Sequence, residues 1–314
     1  MIKIYNNKFY NSSFIYVFII AIYSFCINFY YSNLGVYPID TFLHYDSSYR
    51  ILKNELPVKD YWIVSGFIVE YIQSIFFKIL GTNWFAYILH SSSINLMISI
   101  LVYYFFLDLK LNNYKSLLYT LSFSTLAYTV SGTPFVDHHA VFFLMVSTFC
   151  IIRLISSPNN KKIYLFLIVV FSFLSFLSKQ VPVSYAILSQ VILAFIILKK
   201  EKSFYFFKYL FFYFIIILSV FIIFLYFSNI DLRLFLEEYI FYPKTIGSDR
   251  ILLFGKSFEI FFNQYKFLII PLLISIFLKS KILSKESADK KNNIFIYFIF
   301  IFFSLSIILH QLLT

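Results

Sequence analysis

Four carboxylates, Asp40, Asp46, Glu55 and Asp60, lie within residues 32–65, a polar segment that follows the first long apolar run of the chain. A carboxylate beside hydrocarbon is costly unless it has a partner or a task. Asp46 opens the run DSSYRILKNEL, and Asp46-Ser47-Ser48 predicts a helix N-cap for residues 47–55, the carboxylate accepting backbone N–H bonds beside Arg50. An ionised carboxylate facing a cleft at the membrane also serves as a general base toward a hydroxyl or an amine, so capping and catalysis are compatible here. Asp60 has a plainer role open to it, pairing with Lys59 or Arg50 to hold the loop. Tyr61 and Trp62 suit ligand contact and an aromatic belt at the membrane boundary equally well.

Two further polar groups interrupt apolar sequence. Asp137, His138 and His139 stand together in GTPFVDHHAVFF. Adjacent side chains on a helix point about 100° apart, so the two histidines are poor joint ligands for one ion, and an N-cap or a substrate contact is the better expectation. Lys179 and Gln180, in FLSKQVPVSY, separate two apolar runs. The lysine either snorkels to the headgroups or neutralises a phosphate. In residues 229–266, Arg233, Glu237, Glu238, Lys244, Arg250 and Lys256 read as a solvated face, with an amphipathic surface helix expected over 231–242. There is no glycine-rich phosphate loop, zinc-spaced Cys/His set or nucleophile elbow. No cofactor is expected, and a divalent metal is not indicated. Cys26 and Cys150 fall inside apolar runs and read as core residues.

The elements that position these residues are membrane helices. The 314-residue chain is 61% hydrophobic and 13% charged, with a mean hydropathy of +0.81. A soluble domain carries about a quarter charged residues. Apolar runs predict nine spans, roughly 14–31, 84–107, 116–132, 139–156, 163–178, 183–198, 209–228, 267–280 and 294–310. Residues 66–80 are short for a span and place Glu70, Ser74 and Lys78 on one stripe, which predicts an amphipathic helix lying in the interface. With that helix excluded, the loops on the amino-terminal side hold 16 Lys and Arg against four acids, and the opposite side holds 10 against 11. The positive-inside rule then puts the amino terminus in the cytoplasm and the carboxyl terminus outside. The net charge of +11 thus belongs to loops at an anionic leaflet, and nucleic acid is not an expected partner. The chain reads as one membrane domain, 1–314, an all-α polytopic bundle with two large extracytoplasmic loops, 32–83 and 229–266.

From Asp46 to Trp84 the run D-x-x-Y-R-I-L…L-P-V-K-D-Y-W…G…F-F-K-I-L-G-T-N-W resembles the first extracytoplasmic region of GT-C glycosyltransferases. The likeness is to the branch holding protein mannosyltransferase-like, aminoarabinose transferase-like and rhizobial lipopolysaccharide glycosyltransferase-like enzymes. The resemblance covers about residues 14–200 in pattern and is sharpest over 40–90. It implies juxtamembrane helices in the first outer loop and an inverting transfer of sugar from a polyprenyl-phosphate donor to a lipid, glycan or protein acceptor. It further implies a place in the bacterial inner membrane among membrane lipids. The family's loop carries two adjacent acids a few residues before a tyrosine. Asp46 matches the second, while Tyr45 occupies the first position, so Asp46, or else Asp40, is the expected catalytic base. Arg50, Asp60, Tyr61, Trp62, Asp137, His138, Lys179 and Gln180 are the expected substrate contacts. Two alternatives stand beside this reading. A flippase or transporter of lipid-linked saccharides requires polar residues buried along several spans, and these spans are expected to lack them. A non-catalytic scaffold requires only that the outer loop bind a partner.

Overall fold

The computed structural model describes residues 7–36, 40–63, 65–156, 161–181, 183–200 and 204–245. The expected spans 267–280 and 294–310, Arg250, Lys256 and most of the second outer loop lie outside them. The described residues form an all-helical fold: α1 Asn7–Ser32, α2 Thr41–Leu52, α3 Ile68–Leu80, α4 Trp84–Asp108, α5 Asn113–Ala127, α6 Val136–Ser156, α7 Lys161–Ser178, α8 Val183–Lys200, α9 Phe204–Phe227 and the short α10 Leu232–Leu236, which runs on into a π-type turn, Glu237–Phe241. Five of these helices, α1, α4, α6, α7 and α9, are long and apolar enough to cross a membrane. Their outward residues fit that setting: Phe14, Phe18 and Ile22 of α1 and Phe211, Phe212, Ile222 and Ile223 of α9 are exposed apolar side chains. The protein is a membrane helix bundle. At one further expected span the helix is shorter: α5 has fifteen residues and gives way to a turn at Tyr128, whereas α8, Val183–Lys200, covers the expected 183–198.

Local sequence sets the helix ends. Asn83 and Asn112 cap α4 and α5, their side chains accepting the N–H of Ala86 at 2.8 Å and of Lys115 at 2.9 Å. At the far ends of α2, α4 and α9 the residues Asn54, Lys110 and Asn229 turn to positive φ. Each lets the next N–H reach back five residues, Glu55 to Arg50, Leu111 to Phe106 and Ile230 to Leu225, so orphan carbonyls are satisfied.

The described chain divides into two compact units, residues 1–61 with 67–142, and residues 62–66 with 143 onward. In the first, α1, α4 and α5 pack around Ile20, Tyr103 and Leu117. Two asparagines tie them together. Asn95 Nδ2 donates to the carbonyls of Ser24 on α1 and Ser124 on α5, at 2.8 and 3.1 Å. Asn28 Nδ2 reaches Ser91 and Ser92 on α4 and the carbonyl of Gly132. Gly132 has φ +68°, and a Cβ there would stand 3.0 Å from Ser32 Cα, so the turn needs glycine. The expectation that the spans lack buried polar residues is therefore corrected. Ser24, Asn28, His90, Ser91, Asn95 and Ser99 are all buried in α1 and α4. They are uncharged and, apart from the HSSS run at 90–93, stand singly in apolar sequence, so run length alone did not betray them.

In the second unit, α6, α7 and α8 meet at another such knot. Gln190 Oε1 accepts from Ser147 and Ser172 at 3.1 and 3.3 Å, while its Nε2 donates to Thr148 at 2.8 Å. Beside it α6–α9 enclose an open, almost wholly apolar groove of about 710 Å³, lined by residues such as Leu165, Phe173, Leu188 and Phe214. Residues 62–66 dock on the end of α7, where the Gly66 N–H donates to Ser178 O at 3.0 Å. A Cβ on Gly66 would fall inside the Leu177 carbonyl group. Gly66→Ala should therefore destabilise the protein by about 3 kcal/mol or more, read as a lower midpoint of thermal unfolding in detergent, whereas Gly35→Ala, with open space around it, should leave it unchanged.

Candidate functional site

The acidic segment folds into α2 and α3, which pack against each other and, through α3, on α4. The helix starts earlier than its sequence announces. Asp40, not Asp46, holds the N-cap position, and its side chain makes no capping bond. The start is fixed from afar. Tyr87 donates to Thr41 O at 2.8 Å, and Thr41 Oγ1 lies 3.1 Å from Thr133 Oγ1. Asp46 is therefore in mid-helix, where its carboxylate accepts from Arg50 Nε at 2.7 Å, one turn on. Arg50 also donates to Glu55 at 3.1 Å and covers the Tyr61 ring at 5.5 Å. The Asp46 hydrogen bond raises the guanidinium pKa further above its usual range, with a smaller push from Glu55.

The other expected site residues take several kinds of place. Asp60 is exposed and accepts the Leu56 N–H at 2.7 Å, closing its own loop instead of pairing with Lys59 or Arg50. Tyr61 donates to Ser47 O at 3.3 Å. Asp137 and His138, half-buried, lie in the first turn of α6, with the His138 ring stacked 5.0 Å from Tyr128. Trp62, Lys179 and Gln180 belong to the second unit. Trp62 meets Tyr242 edge-on at 5.0 Å, and Lys179 is half-buried just past α7. Gln180 is buried and donates to Tyr239 O at 2.9 Å, which gives it a structural employment. Nearby, the Ile63 N–H donates to Glu238 at 3.4 Å; burial raises the Glu238 pKa and this bond opposes the rise. Asp40, Asp46, Arg50, Asp60, Tyr61, Asp137 and His138 are thus the expected residues that share the first unit.

The orientation of α3 overturns the expectation for its polar stripe. Glu70, Gln73 and Ser74 are buried, while Ile75 and Ile79 face out and only Lys78 of the stripe is exposed. The helix presents oil to its surroundings and polar groups to the protein, because α2 and α4 offer partners. Glu70 Oε1 lies 2.7 Å from His44 Nδ1 on α2. Gln73 Nε2 donates to Ala86 O at 3.4 Å, and its Oε1 lies 2.9 Å from His90 Nδ1 on α4. His90 Nε2 then meets His139 Nε2 at 3.0 Å, and His139 Nδ1 meets the Tyr128 hydroxyl at 3.0 Å, whose oxygen accepts the Phe135 N–H at 2.8 Å. His139 Nδ1 also lies 3.1 Å from Phe135 O, which can only accept; with both rings neutral, one assignment that satisfies the side chains in turn leaves that carbonyl without this donor. In it Tyr128 donates to His139, His139 to His90, and His90 to Gln73. His138 and His139 part company as the helix demands, one stacking and one turning inward. Among the described residues no three His, Cys, Asp or Glu side chains converge to hold a metal ion.

Sequence reasoning did not single out His44, Gln73 or His90, and it placed Glu70 only in an interfacial stripe. Each lies in a helix where periodicity identifies a face without saying what it meets. The available signal was their polarity inside apolar runs, as in HSSSIN over 90–95. Glu70 also bears on Tyr61. Burial raises the Tyr61 phenol pKa far above its usual value, aided by Glu70, Tyr71 and Asp46 and opposed by Arg50. Asp46, Arg50, Tyr61, Glu70 and Tyr71 therefore make up one electrostatic neighbourhood.

The chain matches no protein-family model, and neither a curated protein nor a solved structure is detectably similar to it.

Tyr61 gives a pH test. A phenol whose pKa is raised by folding contributes stability that is intact below about pH 10, the unfolded value, and is lost as pH rises beyond it. Tyr61→Phe should remove one late component from the alkaline absorbance titration and soften the alkaline loss of thermal stability. A difference titration with no late component would show that Tyr61 ionises with the exposed tyrosines.

Proposed function

We propose that the protein is an inverting membrane glycosyltransferase of the GT-C type, moving a sugar from a polyprenyl-phosphate donor to a lipid, glycan or protein acceptor. The observation that carries this reading is the α2–α3 pair itself, an acid-bearing juxtamembrane element inserted between two membrane-length helices, α1 and α4, with the carboxylates of Asp40 and Asp46 exposed on α2. The loop charges support an extracytoplasmic place for it in a bacterial inner membrane with the amino terminus inside.

In this mechanism one aspartate takes the proton of the acceptor hydroxyl or amine as that atom attacks the anomeric carbon. The bond from that carbon to the phosphate oxygen breaks, and polyprenyl phosphate departs with the electron pair. The leaving group is already an anion, so no strong acid is required of the protein. Asp40 and Asp46 are six residues apart, about 9 Å along the helix axis, and therefore act singly and not as a proton-sharing pair. Asp46 is the better placed. Its ion pair with Arg50, 41% exposed on the cation side and 58% on the acid side, sets a cation beside the carboxylate where a phosphate would also need one. The polar residues buried in the spans are given a structural use, because Asn28, Asn95 and Gln190 spend amide N–H groups on neighbouring helices.

The test is sugar transfer by the full chain in liposomes supplied with polyprenyl-phosphate donors and membrane extracts as acceptors. Asp46→Asn is expected to cut turnover by about 10²–10⁴-fold. If Asp40 is the base, Asp40→Asn does so instead. Full turnover in both variants would remove the mechanism.

A further inference from the structure

At one end of the second unit α6 and α8 finish and α7 and α9 begin. That end is strongly basic. The two segments that turn there, 153–162 and 199–208, hold seven Lys and Arg against Glu201 alone. Two of the cations mark how the starts of α7 and α9 lie side by side. Lys161 Nζ stands 4.9 Å from the centre of the Phe206 ring, and Lys162 Nζ stands 5.1 Å from that of Tyr209. An aromatic face attracts an ammonium without neutralising it, so the charge of this end persists.

The apolar groove starts beside these cations. Leu154 of α6 and Phe207 of α9 line it and are the chain neighbours of Arg153 and Lys208. On α7, Lys161 heads the stripe Leu165, Ile168, Ser172 and Phe176 that forms one wall. From Leu165 to Phe176 that wall runs about 16 Å, roughly half the hydrocarbon thickness of a bilayer. Its few polar side chains are spent on the protein itself. Ser172 donates to Gln190 Oε1 at 3.3 Å, and Ser184 donates to Gln180 O at 2.6 Å. The groove is also open at the side, since the lining residues Leu188, Val191 and Phe211 are more than half exposed. Its shape and chemistry thus suit hydrocarbon of one leaflet, entering from the bilayer.

We propose that the groove is a binding site for an anionic phospholipid, its acyl chains lying along α7 and α9 and its phosphate held at Lys161, Lys162 and Lys208. Hydrocarbon alone gains little by leaving lipid for an apolar groove, because the two environments are alike. The headgroup supplies the preference, each nearby Lys or Arg favouring an anionic lipid by about fivefold. The loop charges set this end at the leaflet expected to be cytoplasmic, where anionic lipids give the surface its negative potential. The inference stands on the membrane placement alone and is independent of the glycosyltransfer reading. A general attraction of basic loops to the leaflet treats every loop cation alike, whereas a site does not.

The experiment titrates the full chain in detergent with dioleoylphosphatidylglycerol or dioleoylphosphatidylcholine and reads bound lipid by native mass spectrometry. Wild type is expected to bind one phosphatidylglycerol with a Kd about 10-fold or more below that for phosphatidylcholine. Lys161→Gln/Lys162→Gln should weaken phosphatidylglycerol by about 10-fold or more and leave phosphatidylcholine unchanged. Lys110→Gln/Lys115→Gln removes two cations from a loop on the same expected side and should bind as wild type does. Val191→Trp, which fills the groove, should weaken both lipids. Without lipid these exposed substitutions should unfold within about 2 °C of wild type. Should Val191→Trp unfold earlier, Leu188→Trp takes its place. Equal losses in the two lysine pairs would overturn the proposal, leaving only a general attraction to the leaflet. Unchanged binding in the groove-filling variant would overturn it too, as when residues 246–314 occupy the groove. So would displacement of the lipid by glycerol phosphate at equal concentration, which would make the site one for the headgroup alone.

Discussion

Inside hydrocarbon a polar group has only the rest of the protein to bond with, and the first unit is organised around that constraint. Apolar side chains give membrane helices no reason to choose one neighbour over another, because lipid tails are as apolar as leucine. The amides of Asn28 and Asn95 do give a reason. Asn95 donates to carbonyls on two other helices at once, so its amide N–H groups are both met only in one relative arrangement of α1, α4 and α5. Asn28 adds the Gly132 turn to the same assembly. Every later feature of the unit, from the anchorage of α2 at Thr41 to the entry of α6, leans on that arrangement.

The same constraint explains why α3 is turned inside out. A helix at a water-facing surface hides oil and shows charge, whereas α3 shows isoleucine and hides Glu70 and Gln73. The polar face is thereby kept for α2 and α4, and the acids of the segment divide into two populations. Asp40, Asp46 and Asp60 are accessible and engage short-range partners or none, while Glu70 is held deep on a histidine. Accessible carboxylates suit proton transfer with an incoming group.

Much of this was legible in the sequence. The length and purity of the apolar runs announce α1, α4, α6, α7 and α9, and the density of acids in residues 32–65 marks the segment worth examining. The start of α2 was not legible because what sets it is distant in sequence. Thr41 is tied to Tyr87, 46 residues away, and to Thr133, 92 away. The polar stripe of α3 was found by its spacing, yet spacing says which residues share a side and not whether that side meets water or another helix. His44 and Glu70 are 26 residues apart on different helices, so neither announces the other. Lys179 and Gln180 were noticed as polar interruptions, and Gln180 has proved to be a joint between two backbone segments.

The line from Tyr128 through His139 and His90 to Gln73 has a consequence for how this sequence can change over generations. The ring nitrogens lie 2.9–3.0 Å from their neighbours, so the proton placed on one ring constrains where the next carries its own. Replacing one member leaves the next with a lone pair facing a lone pair or a proton facing a proton, a penalty that replacing the whole set avoids. Four positions scattered over α3, α4, the turn after α5 and α6 are thus bound to drift together.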